Sequence, residues 1–150
     1  MSDANEASFG QLTTMDEGEF AGWHYWLGDP YETRSGPFFH RREADGSYVS
    51  AFRAEPRHMN GGGFMHGGCM LTFADFALFA IATDALAGDH AVTLNLAGDF
   101  LGSIASGALV EARGEVTRGG GKTIFARGLV TGDGKPALSF TGIIRRLSKR

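Results

Sequence analysis

The sequence predicts an α+β domain in which one antiparallel sheet curves around a single long helix. Three features predict it. From Leu71 to Leu86 the residues are good helix formers or apolar on nearly every face, so a helix there must be wrapped by the rest of the chain. Two runs rich in β-branched and aromatic residues precede it, and four follow it. An order of two strands, one buried helix and four strands gives a sheet of about six strands with the helix as its core.

Residues 1–33 carry seven acidic and no basic side chains. Within them Phe20, Trp23 and Leu27 recur at helical spacing, which predicts a short amphipathic helix packed on the body. Residues 1–35 are therefore read as an acidic N-terminal extension and residues 36–150 as the main domain. "GPFFHRRE" and "SYVSAFRAE" flank Ala44-Asp45-Gly46 and predict a hairpin. Two glycine clusters, Gly61-Gly62-Gly63 and Gly67-Gly68, lead into the long helix, and Gly88 stands where a left-handed residue stops it. "AVTLNLAGDFLGSI", "ALVEARGEVT", "KTIFARGLVT" and "KPALSFTGIIRRL" then predict four strands in antiparallel succession. The turn formers Ser106-Gly107, Gly119-Gly120-Gly121 and Asp133-Gly134 separate them.

Composition removes several classes of function. A chain of 150 residues suits one domain with one core. Charged residues are 21% and the net charge is −3, so no basic field exists to attract nucleic acid. Cys69 is the only cysteine, which excludes an intrachain disulfide and fits a reducing compartment. No Lys or Arg precedes Arg34, so the start matches neither a secretory signal nor a transit peptide, and a cytoplasmic address is expected. The apolar run is long enough to test as a membrane span, since twenty helical residues cover ~30 Å. It fails: Asp75 inside the bilayer would cost ~2.5 to 3.5 kcal/mol, and no basic cluster flanks the run.

Asp75 is also the residue that carries chemistry. Asn60, five residues, His66-Gly67-Gly68, six residues and then Asp75 lie at the mouth of the buried helix, with Thr93 near the start of the next strand. In that spacing and strand order the sequence resembles the hotdog-fold acyl-CoA thioesterases of the phenylacetic-acid-degradation (PaaI-like) type, over residues 36–147. The resemblance implies a hotdog fold and hydrolysis of an acyl-CoA, and the aromatic residues concentrated before and on the helix, among them Trp23, Tyr25, Trp26, Phe73 and Phe79, would suit an aryl- or medium-chain acyl group. It implies no separate cofactor, because coenzyme A is part of the substrate. It also implies a homo-oligomer, a dimer with shared active sites or a tetramer. In such an enzyme the Gly67 N–H polarises the thioester carbonyl and Asp75 is general base or nucleophile. Thr93 holds the water, and Asn60 with His66 shapes the site. The acidic extension is not explained by the resemblance.

The residue chemistry agrees. Thioester hydrolysis needs a positioned, partly deprotonated water and hydrogen-bond donors where charge develops on the carbonyl oxygen. Gly67 and Gly68 sit at a helix start, where amides lack intrahelical partners, and their bare Cα atoms let a substrate approach closely. A buried carboxylate without donors is costly, so Asp75 is either satisfied by neighbours or at work. His66 has an alternative role in bracing its loop, and Thr93 in simply filling a strand.

Arg118 and Lys122, flanking the Gly119–Gly121 turn, are candidates to meet the phosphates of coenzyme A. "RGGGKT" imitates the end of a P-loop but has Val116 where that motif needs glycine, and a strand follows instead of a helix. Cys69 beside His66 offers a cysteine nucleophile as an alternative. His66 and Cys69 make only half a zinc site, so no metal is expected. The Asp and His signature of hotdog enoyl-CoA hydratases, with Asn-Pro between, does not occur. A non-catalytic acyl-CoA binding module is the alternative of another class, and Asp75 argues against it. Finally, eight residues of helix separate Gly67 from Asp75 by ~12 Å along the axis and ~80° around it, too far to serve one thioester. A two-fold dimer solves this. The resemblance implies the same, with Asn60 and Gly67 from one chain and Asp75 and Thr93 from the other.

Overall fold

A computed structural model describes residues 11–147, so the first ten residues of the acidic extension lie outside the described residues. The elements run β1 (Gln11–Thr14), β2 (His24–Leu27), α1 (Pro30–Ser35), β3 (Phe39–Arg42) and β4 (Tyr48–Arg53), followed by a 3-10 turn (Pro56–His58). Then come α2 (Gly67–Ile81), α3 (Thr83–Leu86), β5 (Ala91–Phe100), β6 (Leu109–Arg118), β7 (Thr123–Gly132) and β8 (Lys135–Arg146). The eight strands form one antiparallel sheet in the order β1-β2-β3-β4-β6-β7-β8-β5. It wraps α2, which touches β3 through β8. This is the hotdog arrangement.

The helix is buried because nothing on most of its surface needs water. Phe73, Ala74, Ala77, Leu78 and Ala80 are 0% exposed. Each large apolar side chain so buried contributes about 1.5 to 3 kcal/mol relative to exposure. Two glycines on the sheet let the helix sit close. A Cβ on Gly142 would run into the Leu78 side chain, and one on Gly114 into Ile81 and the Arg127 carbonyl. The helix stops at Ile81 rather than continuing to Leu86, and α3 adds one further turn. The left-handed exit is present, shared by Ala87 (φ 50°) and Gly88 (φ 86°). Among the described residues no helix is long and apolar enough to cross a membrane.

The β3–β4 hairpin forms as its sequence predicts, with Asp45 accepting the Ser47 N–H at 2.9 Å and Gly46 at φ 87°. Strands β6, β7 and β8 follow in simple succession. Strand β5 does not, because it pairs with β8 instead of β6 and stands at the edge. The helical stretch carries the chain across the sheet, so β5 begins on the side away from β4 and the last three strands fill the gap.

The amphipathic helix expected around Phe20, Trp23 and Leu27 is a second correction. Trp23 lies in the turn before β2 and Leu27 ends that strand. Gly18, Gly22 and Gly28 take φ of 77°, 87° and 83°, which no right-handed helix accommodates. The apolar residues bury in another way. Phe20 stacks on Phe39 with ring centroids 4.7 Å apart, and Arg41 lies over the Trp23 ring. The helix that forms ahead of β3 is α1, started by an Asp29 side chain that accepts the Glu32 N–H at 2.9 Å.

Candidate active site

Asp75 lies midway along α2, half-buried, and its carboxylate accepts a 2.7 Å hydrogen bond from the Thr93 hydroxyl on β5. A bulge makes that contact possible. The β5–β8 register shifts between Thr93 and Asn95, leaving Leu94 unpaired and 54% exposed. Ahead of the bulge Ala91 and Thr93 face inward, and beyond it Leu96 joins the core, where strict alternation would have turned Asn95 inward. The pair forms part of the wall of a cavity of about 590 Å³. Trp26, Asp29 and Glu32 line the same cavity, brought there by β2 and α1. The sequence reading assigned none of these three to the site. Asp29-Pro30 followed by Glu32 is a helix-start pattern that could have located α1, but nothing local shows that α1 docks beside Asp75. Burial first, then the Asp29 and Asp75 carboxylates, push the Glu32 carboxyl up to about 8.

The start of α2 forms a separate place. His66 is its N-cap, and the His66 Nδ1 accepts the Gly68 N–H at 2.9 Å. The neutral ring therefore carries its proton on Nε2. The Cys69 and Met70 amides both bond the His66 carbonyl, at 2.9 and 3.2 Å. Gly67 N–H alone of this first turn donates to nothing among the described residues. It is an unpaired donor at the helix start, and the Phe100 ring stands beside it. His66 and Gly68 line a cleft of about 530 Å³ together with Cys69, Arg34 and Arg57. Burial pushes the Cys69 thiol up to about 11, only partly offset by Arg57, so the sulfur is a poor candidate for a thiolate nucleophile.

Asn60 lines neither space. Its side-chain oxygen accepts the N–H groups of Gly62, at 2.8 Å, and Phe64, at 3.2 Å, and so shapes the glycine loop ahead of the helix. Lys122 lies in a third cleft, with Arg145, Arg146 and Asp89. Asp89 also lines the Asp75 cavity, so the two spaces adjoin. Arg118 ends β6 across the same turn, exposed. Arg146 braces that turn through the carbonyls of Gly119, Gly121 and Ala85. Within one chain, then, the fold joins Asp75 to Thr93 and His66 to Gly67 and Gly68. It does not join the two groups.

A carboxylate held by a strand hydroxyl on the flank of a sheet-wrapped helix, with an unpaired amide at that helix's start, stands here on a hotdog fold. The chain belongs to the thioesterase superfamily, whose family model matches residues 62–136. It is 37% identical over 92 residues to the proposed esterase PA0474 of Pseudomonas aeruginosa, spanning 61% of this chain and 69% of that one. The phenylacetic acid degradation protein PaaI of Thermus thermophilus, solved as a point mutant, is 31% identical. It superposes with a TM-score of 0.66 over 79% of this chain and 100% of that one. The BH2602 protein of Bacillus halodurans, solved with CoA, shares the fold at 24% identity and a TM-score of 0.67, covering 74% of each chain.

Proposed function

We propose that the protein is an acyl-CoA thioesterase that hydrolyses an aryl- or medium-chain acyl-CoA by water attack assisted by Asp75. The observation that carries this is the Asp75–Thr93 hydrogen bond at a cavity wall. A carboxylate so oriented can take a proton from a water as the water attacks a carbonyl carbon, while Thr93 fixes the geometry. The Gly67 amide receives the carbonyl oxygen at the positive end of the helix dipole. His66 keeps the Gly68 amide occupied and the turn rigid, and Asn60 holds the loop in front of it. The name of the 31% identical Thermus protein supports an aryl substrate, as do Trp26 and Phe79 on the cavity wall. Lys122 and Arg118 meet the phosphates of coenzyme A, with Arg145 beside Lys122.

The two half-sites come together in a two-fold dimer. Strand β5 is ten residues long and, among the described residues, unpaired on its outer side, a row of backbone groups that invites a copy of itself. Val92, Leu94, Phe100 and Leu101 along and just past it are 43 to 56% exposed. Pairing there would set the Gly67 end of one helix against Asp75 of the other.

The test is release of free thiol from a panel of acyl-CoAs, from short aliphatic to phenylacetyl. Wild type should turn over at least one. Asp75→Asn should lower kcat about 10²-fold to 10⁴-fold while the protein stays folded, and Cys69→Ser should change it little. Measurable binding without turnover of any substrate would instead make the protein a binding module. A collapse in Cys69→Ser alone would move the chemistry to sulfur.

A further inference from the structure

We propose that Glu32, from the acidic extension, is the catalytic acid of this site: it delivers a proton to the departing sulfur and recovers it from Asp75. The inference rests on the thioesterase reading and adds to it a residue outside the thioesterase-family match, which begins at residue 62. Glu32 and Asp75 line one cavity, on helices that pack together, with the Thr93 hydroxyl on the opposite strand. At its position in α1, Glu32 would ordinarily reach back to the Asp29 amide as the second half of a reciprocal cap. It does not. Only the Glu32 N–H is used in the cap, and its carboxyl makes no hydrogen bond or ion pair among the described residues. The group is thus left for whatever fills the cavity.

Two carboxyl groups at one cavity wall do not readily both ionise, and here the environments differ. Burial, Asp29 and Asp75 keep the proton on Glu32 up to about pH 8. Asp29 at the α1 cap and Asp89 and His90 on the loop before β5 are the other titratable groups facing this space. Glu32 therefore keeps a proton to donate at neutral pH. As the water oxygen bonds to the carbonyl carbon, the Asp75 carboxylate takes a proton from the water. When the carbon–sulfur bond breaks, its electron pair leaves on sulfur, and the Glu32 carboxyl gives its proton to that sulfur. The proton on Asp75 then passes to the Glu32 carboxylate. One thioester and one water are consumed, one carboxylic acid and one thiol are formed, and the pair carries one negative charge before and after.

The experiment compares Glu32→Gln with wild type on two thioesters of the same acyl group, one of coenzyme A and one of an aryl thiol. An alkyl thiolate is the more basic leaving group and gains most from a proton as it departs, whereas an aryl thiolate of low pKa gains little. Glu32→Gln should lower kcat about 10²-fold on the acyl-CoA and less than about 5-fold on the aryl thioester. Wild-type kcat should fall as pH rises through about 8, where the acid form of Glu32 is lost, and the variant should lack that fall. Thermal unfolding controls for structure. Glu32→Gln removes a carboxyl that must stay neutral to be comfortable, so at pH 9 the variant should melt no lower than wild type. An equal loss on both thioesters, an unchanged kcat, or an alkaline limb that persists in Glu32→Gln would overturn the assignment while leaving the thioesterase reading intact. Wild type inactive on every acyl-CoA would remove both.

Discussion

His40 is a buried side chain whose ring nitrogens find no partner among the described residues, and its titration should make the fold sensitive to acid. It is 3% exposed. The ring packs against Trp26 at 4.6 Å between centroids. Burial, with a smaller push from His24, lowers it from the ordinary 6.5 to about 4. The folded value lies below the unfolded one, so between those limits the unfolded chain binds more protons and stability falls as pH drops. The loss between pH 6.5 and 4 should reach about 3 kcal/mol. Urea unfolding at pH 7 and pH 5 should show the decline in wild type, and His40→Phe should flatten it. An identical decline in the variant would place its source in the carboxylates. At this scale the sequence showed the residues whose spacing is local. Asp75 and Thr93 meet between α2 and β5, and Gly67 and His66 stand together at the start of α2, where the His66 ring accepts the Gly68 amide. Glu32 and Trp26 were out of reach because only tertiary docking of β2 and α1 carries them to Asp75.

Between elements, one of the two close helix–sheet contacts is that of Leu78 with Gly142. A methyl group added there has nowhere to go, since the Leu78 side chain already fills the space on a fully buried face. Gly142→Ala should cost about 1 to 3 kcal/mol. Gly120→Ala in the β6–β7 turn, where an added Cβ meets nothing within 4 Å, should be close to neutral. Because the strain is shared by one pair, Gly142→Ala combined with Leu78→Val should cost less than the sum of the two single changes. Strict additivity in chemical denaturation would show that the clash is relieved elsewhere. The helix itself was readable because its alanines and aromatics leave no polar face, and four of its surrounding strands because glycine turns punctuate them. The first two strands were not. Phe20, Trp23 and Leu27 fall at a helical period by coincidence, and the deciding signal was the glycines at 18, 22 and 28, whose left-handed φ forbids a helix. The edge position of β5 is a matter of topology, and no residue within β5 encodes it.

For the whole molecule, the separation of Gly67 from Asp75 is the constraint that one chain cannot remove. Both lie on α2, eight residues apart, so ~12 Å of helix axis stands between the free amide and the carboxylate. That much was legible from spacing alone. The exposed apolar side chains of β5 add the surface through which a second copy would bring them together. If the site is shared, two different inactive chains should repair one another. On the proposed mechanism, Asn60→Ala spoils the half that would hold the carbonyl oxygen, and Asp75→Asn the half that would hold the water. Co-expressed with separable tags, the two should pair at random, so about half of the dimers are mixed. Each mixed dimer joins the intact Asp75 and Thr93 of one chain to the intact Asn60 and Gly67 of the other, one good site of two. Roughly a quarter of wild-type activity should therefore return, concentrated in the doubly tagged fraction. Doubly tagged dimers no more active than their parents, given an Asn60→Ala parent that is itself inactive, would show that each site is built within one chain and that Asp75 works with a donor other than Gly67.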